Sequence, residues 1–230
     1  MRLLDYSVWL PGLKPGMNPL SILSTAKPDT IEIPKLAFLP LMQRRRLSPL
    51  GRVVLSTLYP LFEKYGQQDN MPPSVILASR WGDIDLTVKA LEEMSTERTL
   101  SPTGFSTSVH NAIGGLFSMF THFKGNITSM AAGENTIASA LTEAKAQLLE
   151  YPLVFVSIYE DKTPEVFEKF GEVPFPFAVT LALSNEENQD YARTWKEHLL
   201  SKNISDAPIF NQLHEFLTWL ETEKSLGSPL

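Results

Sequence analysis

The chain has no cysteine among its 230 residues. That single absence excludes disulfides, thiolate metal sites, iron–sulfur clusters and a thiol nucleophile together. Histidine is scarce, and His110, His122, His198 and His214 are the whole set. No two of them stand four residues apart, so the helical zinc pattern is missing and no metal is expected. The glycine-rich phosphate loops are missing too. Gly114-Gly115 is not followed by Gly-Lys-Ser/Thr, and no cofactor is expected. No Gly-x-Ser-x-Gly elbow occurs either, so the common serine-hydrolase arrangement is missing. No run approaches the roughly 18 apolar residues of a membrane span, and Met1–Leu10 lacks the form of a signal peptide. A cytoplasmic protein with no transmembrane segment is the expectation. Positive charge is in short supply: Lys and Arg number 20 against 26 Asp and Glu, a net charge of −6. Such a chain repels a phosphate backbone, and nucleic acid is not an expected partner.

What is present belongs to a globular protein. Hydrophobic residues make up 43% of the chain and charged ones 20%, enough for a sizeable core. Residues 1–230 read as one domain. The first forty residues are interrupted by Pro11, Pro15, Pro19, Pro28, Pro34 and Pro40, which predicts loops with one strand near Leu3–Trp9. Ser48-Pro49 is a helix start. Leu50, Val53, Val54, Leu58, Leu61, Phe62 and Tyr65 then keep helical spacing, with Pro60 expected to kink or split the run. Val75–Ala78 reads as a buried strand, followed by a helix over Leu86–Met94. Ser101-Pro102 predicts a long helix to about Phe123, stopped by Gly125. Ile127–Ala132 is the next strand, and Ile137, Leu141, Ala144 and Leu148 mark the helix after it. Leu153–Ile158 and Phe175–Leu183 are buried strands, and two helices within about 191–222 close the chain. Strands alternating with helices predict an α/β layered fold.

Few residues offer chemistry. The turn Ala131-Ala132-Gly133-Glu134-Asn135 joins a strand to a helix through small residues. Glu134 and Asn135 either cap the helix that follows, or the turn is an elbow of the kind that presents a nucleophile. Arg44, Arg45 and Arg46 are the one basic cluster. They form a solvated face, a contact for an acidic partner, or an internal ion-pairing group. Their direct lead into an amphipathic helix favours the internal role. His110-Asn111 lies within the predicted long helix and reads as a hydrogen-bonded packing pair. Gly114-Gly115 reads as a place of close helix packing.

Ser101–Ser118 (SPTGFSTSVHNAIGGLFS) resembles the helix region before the active-site turn of β-ketoacyl-acyl carrier protein synthases. Three segments tighten the resemblance: Leu39–Arg52 (LPLMQRRRLSPLGR), Ala78–Asp83 (ASRWGD) and Ser108–Gly115 (SVHNAIGG). Together they resemble the short proteins similar to the N-terminal half of a β-ketoacyl-acyl carrier protein synthase. These are known as chain length factors or ketosynthase-like proteins of aryl polyene pathways. The resemblance runs collinearly from about Asp5 to Leu183. It implies a thiolase-like fold confined to the first ketosynthase half, with layers in the order α-β-α. It further implies that Ala132, Gly133, Glu134 and Asn135 form a vestigial elbow at the wall of an acyl tunnel. Phe105, His110, Asn111 and Phe117 then lie on a pocket-side helix. Asn126, Ile127, Thr128, Ser129 and Met130 form the strand through which such proteins dimerise. The family's catalytic cysteine is absent, and its catalytic histidines belong to a segment that this sequence does not match. A non-catalytic subunit is therefore implied, with a full-length β-ketoacyl synthase and an acyl carrier protein as partners. Two alternatives remain: a malonyl-decarboxylating enzyme using Glu134, and a pure scaffold. Arg44, Arg45 and Arg46 are the candidate contact for the acidic carrier protein.

Overall fold

In the computed structural model, the described residues are 1–23, 31–66, 71–97, 99, 101–186, 190–204 and 207–227. Pro28 of the proline-rich start lies outside them. In chain order the elements are β1 (Arg2–Trp9), α1 (Pro19–Leu23), α2 (Leu41–Arg44), α3 (Pro49–Tyr65), β2 (Ser74–Ala78) and α4 (Ile84–Glu97). They continue with α5 (Pro102–Ser108), α6 (Ala112–Thr121), β3 (Ile127–Met130), α7 (Thr136–Gln147), β4 (Leu153–Glu160), β5 (Phe177–Ser184), α8 (Tyr191–Ser201) and α9 (Ile209–Gly227). Short 3-10 turns stand at Gly133–Asn135 and Glu165–Phe170.

The five strands form one mixed sheet in the order β1-β5-β4-β2-β3. β3, β2 and β4 run parallel, whereas β5 and β1 are added antiparallel. Side chains alternate across this sheet with a period of two. Val154, Val156 and Ile158 of β4 face one core with Ile137, Leu141 and Ala144 of α7 and with Trp195, Phe216 and Trp219 of α8 and α9. Leu153, Phe155 and Tyr159 face the other, with α3 and with Phe117 of α6. Helices thus cover both faces, and strands β2, β4 and β5 are buried from end to end, which is why they read as unbroken apolar runs. One polar chain crosses the second core. The hydroxyls of Thr57, Thr180 and Ser157 lie 2.8 Å apart in turn, and Thr57 also donates to the Val54 carbonyl.

Two predicted helices come out differently. Pro60 leaves α3 whole over its 17 residues. The proline ring is exposed on the outer face of the helix, and the one backbone bond it removes does not end the helix. The predicted helix from Ser101 to about Phe123 is instead two helices. Val109 adopts extended backbone at ψ 146° and breaks it. The hydroxyls of Ser106, Thr107 and Ser108 donate to carbonyls three or four residues back, a competition that weakens a helix. His110 then reaches the Ser79 carbonyl at 3.0 Å, a bond that a continuous helix would forgo. The second helix ends not at Gly125 but at His122, which takes the left-handed conformation at φ 55°.

Candidate functional site

The carboxyl ends of the three parallel strands converge on one network, and each supplies a charged side chain. Arg80 follows β2, Glu134 follows β3, and Glu160 ends β4. Arg80 is the hub, with a side chain only 2% exposed. Its Nη1 donates to Glu134 Oε1 at 2.8 Å and to the Phe170 carbonyl at 3.3 Å. Its Nε lies 3.5 Å from Glu160 Oε2, and its backbone N–H donates to Glu160 Oε1 at 2.6 Å. The guanidinium carbon stands 4.4 Å from the centre of the Trp81 ring. A buried cation needs such partners, because an unpaired charge in a low dielectric is strongly disfavoured.

The turn itself is an elbow. Gly133 has φ +55°, a conformation glycine adopts without strain. Thr136 tightens the bend by donating to the Gly133 carbonyl at 2.6 Å and accepting from the Ala132 N–H. Asn135 makes no side-chain cap on α7, and Glu134 does not cap α7 either. Its second oxygen accepts from the N–H of Ile209, the first residue of α9. Pro208, just before that helix, has no side-chain acceptor to offer its first turn, and Glu134 supplies one from 75 residues away. Gln212 strengthens the junction by donating to the Glu134 carbonyl at 2.9 Å. The capping expectation is thereby corrected: Glu134 caps a helix, but a distant one.

Beside the elbow lies a cavity of about 380 Å³ lined by Arg80, Trp81, Gly133, Glu134, Phe167 and Phe170. Phe167 stands 5.5 Å from the Trp81 ring and 6.0 Å from Phe170. Burial dominates the electrostatics nearby. Desolvation pushes Glu160 up to about 7 in spite of Arg80. Asp161 is also pushed up to about 7 by burial, with the Asp83 carboxylate adding to it. Asp83 is itself raised by burial, opposed by a hydrogen bond from Ser48.

The remaining candidate residues scatter. Phe105 is 57% exposed on α5, whereas Phe117 is fully buried on α6, so no single pocket-side helix holds both. His110 and Asn111 occupy the break between them. His110 packs on Gly82, and Asn111 opens toward a groove of about 680 Å³ that Arg45 and Arg46 also border. Those two arginines are exposed, which corrects the internal role favoured for them. Arg44 is half-buried and donates to the Lys35 carbonyl at 3.1 Å. Asn126 binds the hydroxyls of Ser74 and Thr128, and Ile127, Thr128, Ser129 and Met130 form the β3 edge of the sheet, with no described strand on its outer side. Arg80, Trp81, Glu160, Phe167 and Phe170 were not foreseen as site residues. Arg80 and Glu160 carry one readable signal, a charge directly after a buried apolar run.

A mixed sheet covered on both faces, with a sharp strand–turn–helix elbow at the end of β3, is the arrangement expected of a thiolase-like fold. The chain belongs to the family of the β-ketoacyl synthase N-terminal domain, whose model matches residues 22–225. That match continues beyond Leu183 to take in α8 and α9. No curated protein sequence matches significantly. Among solved structures, the chain is similar to one in the complex of the ketosynthase ApeO with its chain length factor ApeC from Xenorhabdus doucetiae. The TM-score is 0.69 at 23% identity, over 81% of this chain and 79% of that one. It also resembles the ishigamide ketosynthase/chain length factor (TM-score 0.56, 14% identity, 70% of this chain and 49% of that one). A third is a β-ketoacyl synthase from Burkholderia phymatum STM815 (TM-score 0.54, 13% identity, 72% and 48%). The chain therefore spans about half the length of the last two, but is about as long as the chain matched in the Xenorhabdus complex.

Proposed function

We propose that this protein is a non-catalytic ketosynthase-like subunit of the chain length factor type, acting as one domain beside a full-length β-ketoacyl synthase. The elbow carries this reading. In this reading Gly133 or Glu134 stands where a ketosynthase has its nucleophile, and both Glu134 oxygens are engaged, by Arg80 and by the start of α9. An acyl-transfer nucleophile needs a free attacking atom and a base beside it. The structural likeness to a chain of a ketosynthase–chain length factor complex supports the same role. In this reading the outer edge of β3 pairs with the synthase, and Arg45 and Arg46 receive the acidic acyl carrier protein. Decarboxylation by Glu134 requires a carboxylate free to exchange a proton with substrate, and the geometry does not favour it.

Coexpression with each full-length β-ketoacyl synthase of the same genome, followed by size-exclusion chromatography, tests the proposal. The expected result is a one-to-one complex that Ser129→Pro, which removes an outward-facing donor from the β3 edge, weakens at least tenfold. A chain that ignores every synthase would overturn the reading. In a complex that does form, product length left unchanged by bulky substitutions in α5 and α6 would favour a plain scaffold.

A further inference from the structure

We infer that Arg80 is a positioning residue that joins the elbow, the loop 163–173 and the first turn of α9 into one mechanical unit. That the unit's aromatic wall faces an acyl chain rests on the proposed pairing; the coupling itself does not. The loop is closed at its base without Arg80. Thr163 N–H donates to the Val173 carbonyl at 2.9 Å, and Val173 N–H donates to the Thr163 hydroxyl at 2.9 Å. Its tip is held differently. Phe167 and Phe170 project from the Glu165–Phe170 turn beside the cavity, with Phe170 54% exposed. From the body of the protein the tip is held by the bond from Arg80 Nη1 to the Phe170 carbonyl, next to the bond that the Thr163 hydroxyl donates to the Gly171 carbonyl at 3.2 Å.

The same nitrogen also binds Glu134, and Glu134 passes the connection to Ile209 through its other oxygen. One buried atom therefore serves two segments that are remote in sequence. Gly171 shows how closely the loop is fitted to it. Its φ is +107°, and a Cβ there would stand 3.0 Å from Arg80 Nη1 and 3.5 Å from Glu134 Oε1. Trp81, stacked on the guanidinium and facing Phe167, completes the wall. Moving the guanidinium releases the loop tip, the Trp81 ring and the α9 start together.

Hydrogen exchange read by mass spectrometry on the purified chain tests this without a partner. In Arg80→Met the amides of 165–171 and of 209–212 should both exchange about tenfold faster or more, while those of α3 stay unchanged. Arg80→Lys keeps the charge but lacks the planar fork, and should restore part of the protection in both segments. If Arg80→Met does not fold, Glu134→Gln weakens the Arg80 bond from the elbow side and should loosen 165–171, to which Glu134 makes no hydrogen bond. Faster exchange in the loop alone, with 209–212 as protected as before, would overturn the inference. So would Arg80→Met and Arg80→Lys behaving alike. Failure to find a pairing synthase leaves these results standing, and a pairing synthase does not rescue them.

Discussion

Raising the pH from 5 to 8 should destabilise this protein, and the cause is buried at the end of β4. Glu160 is fully enclosed, and burial lifts it from 4.5 to about 7 in the folded state. Between those values the folded state binds a proton that the unfolded chain has released. The group's stabilising contribution is complete below about pH 4.5 and is lost as pH rises through about 7. The shift corresponds to about 3 kcal/mol, of which about 2–3 kcal/mol disappears between pH 5 and 8. Asp161, raised to about 7 by burial, acts with the same sign. Asp190, lowered by its bond to Lys145, has the opposite sign but titrates below this window. At about 2–4 °C per kcal/mol for a chain of this size, the melting temperature should fall by several degrees. Differential scanning fluorimetry across buffers of constant ionic strength measures this directly. Glu160→Gln keeps an acceptor for the Arg80 N–H but cannot titrate, so its profile should be flatter. A melting temperature that rises from pH 5 to 8, or an unchanged profile in Glu160→Gln, would refute the assignment.

Three contrasts test the packing. Gly114 and Gly115 are neighbours on α6 with opposite surroundings. A Cβ on Gly114 would meet Ile127 at 2.9 Å and Leu77 at 3.1 Å, whereas one on Gly115 meets nothing within 4 Å. Gly114→Ala should cost about 1–3 kcal/mol in urea unfolding, while Gly115→Ala should stabilise by up to about 1 kcal/mol. Phe117→Ala, which empties a site beside Phe62 at 5.1 Å, should cost about 3–5 kcal/mol, against less than about 0.5 kcal/mol for exposed Phe105→Ala. Thr180→Val strands the Ser157 hydroxyl and leaves Thr57 only its bond to the Val54 carbonyl, and should cost about 1–3 kcal/mol, visible as a lower urea midpoint at unchanged slope.

Local patterns in the sequence carried much of this architecture. Ser48-Pro49 marks the start of α3, because a cap and a fixed φ act within one turn. The apolar runs of β2, β4 and β5 stand out because strands covered on both faces need no alternation. Gly114 is a close-packing glycine as its position suggests, but Gly115 beside it is not. What stayed hidden depends on partners far along the chain. Nothing near Glu134 indicates that its carboxylate belongs to Ile209, and nothing near Arg80 shows that Glu160 and Phe170 await it. The break at Val109 had a local cause in Ser106, Thr107 and Ser108, yet the Ser79 carbonyl that rewards it lies across the fold. The elbow was legible in outline, and its chemistry was not.

The pairing of β1 with β5 also bears on how the protein is made. Arg2 lies opposite Ser184, and Trp9 opposite Ala178. Strand β1 is synthesised well before its partner β5 and must therefore wait for it. At about 5–20 residues per second, that delay is on the order of ten seconds or more. During it β1 has no edge to join, and afterwards a long loop must close around all the other strands. The parallel trio β2, β3 and β4 can assemble during synthesis. The sheet as a whole is finished only after β5 has been released, when β1 closes against it.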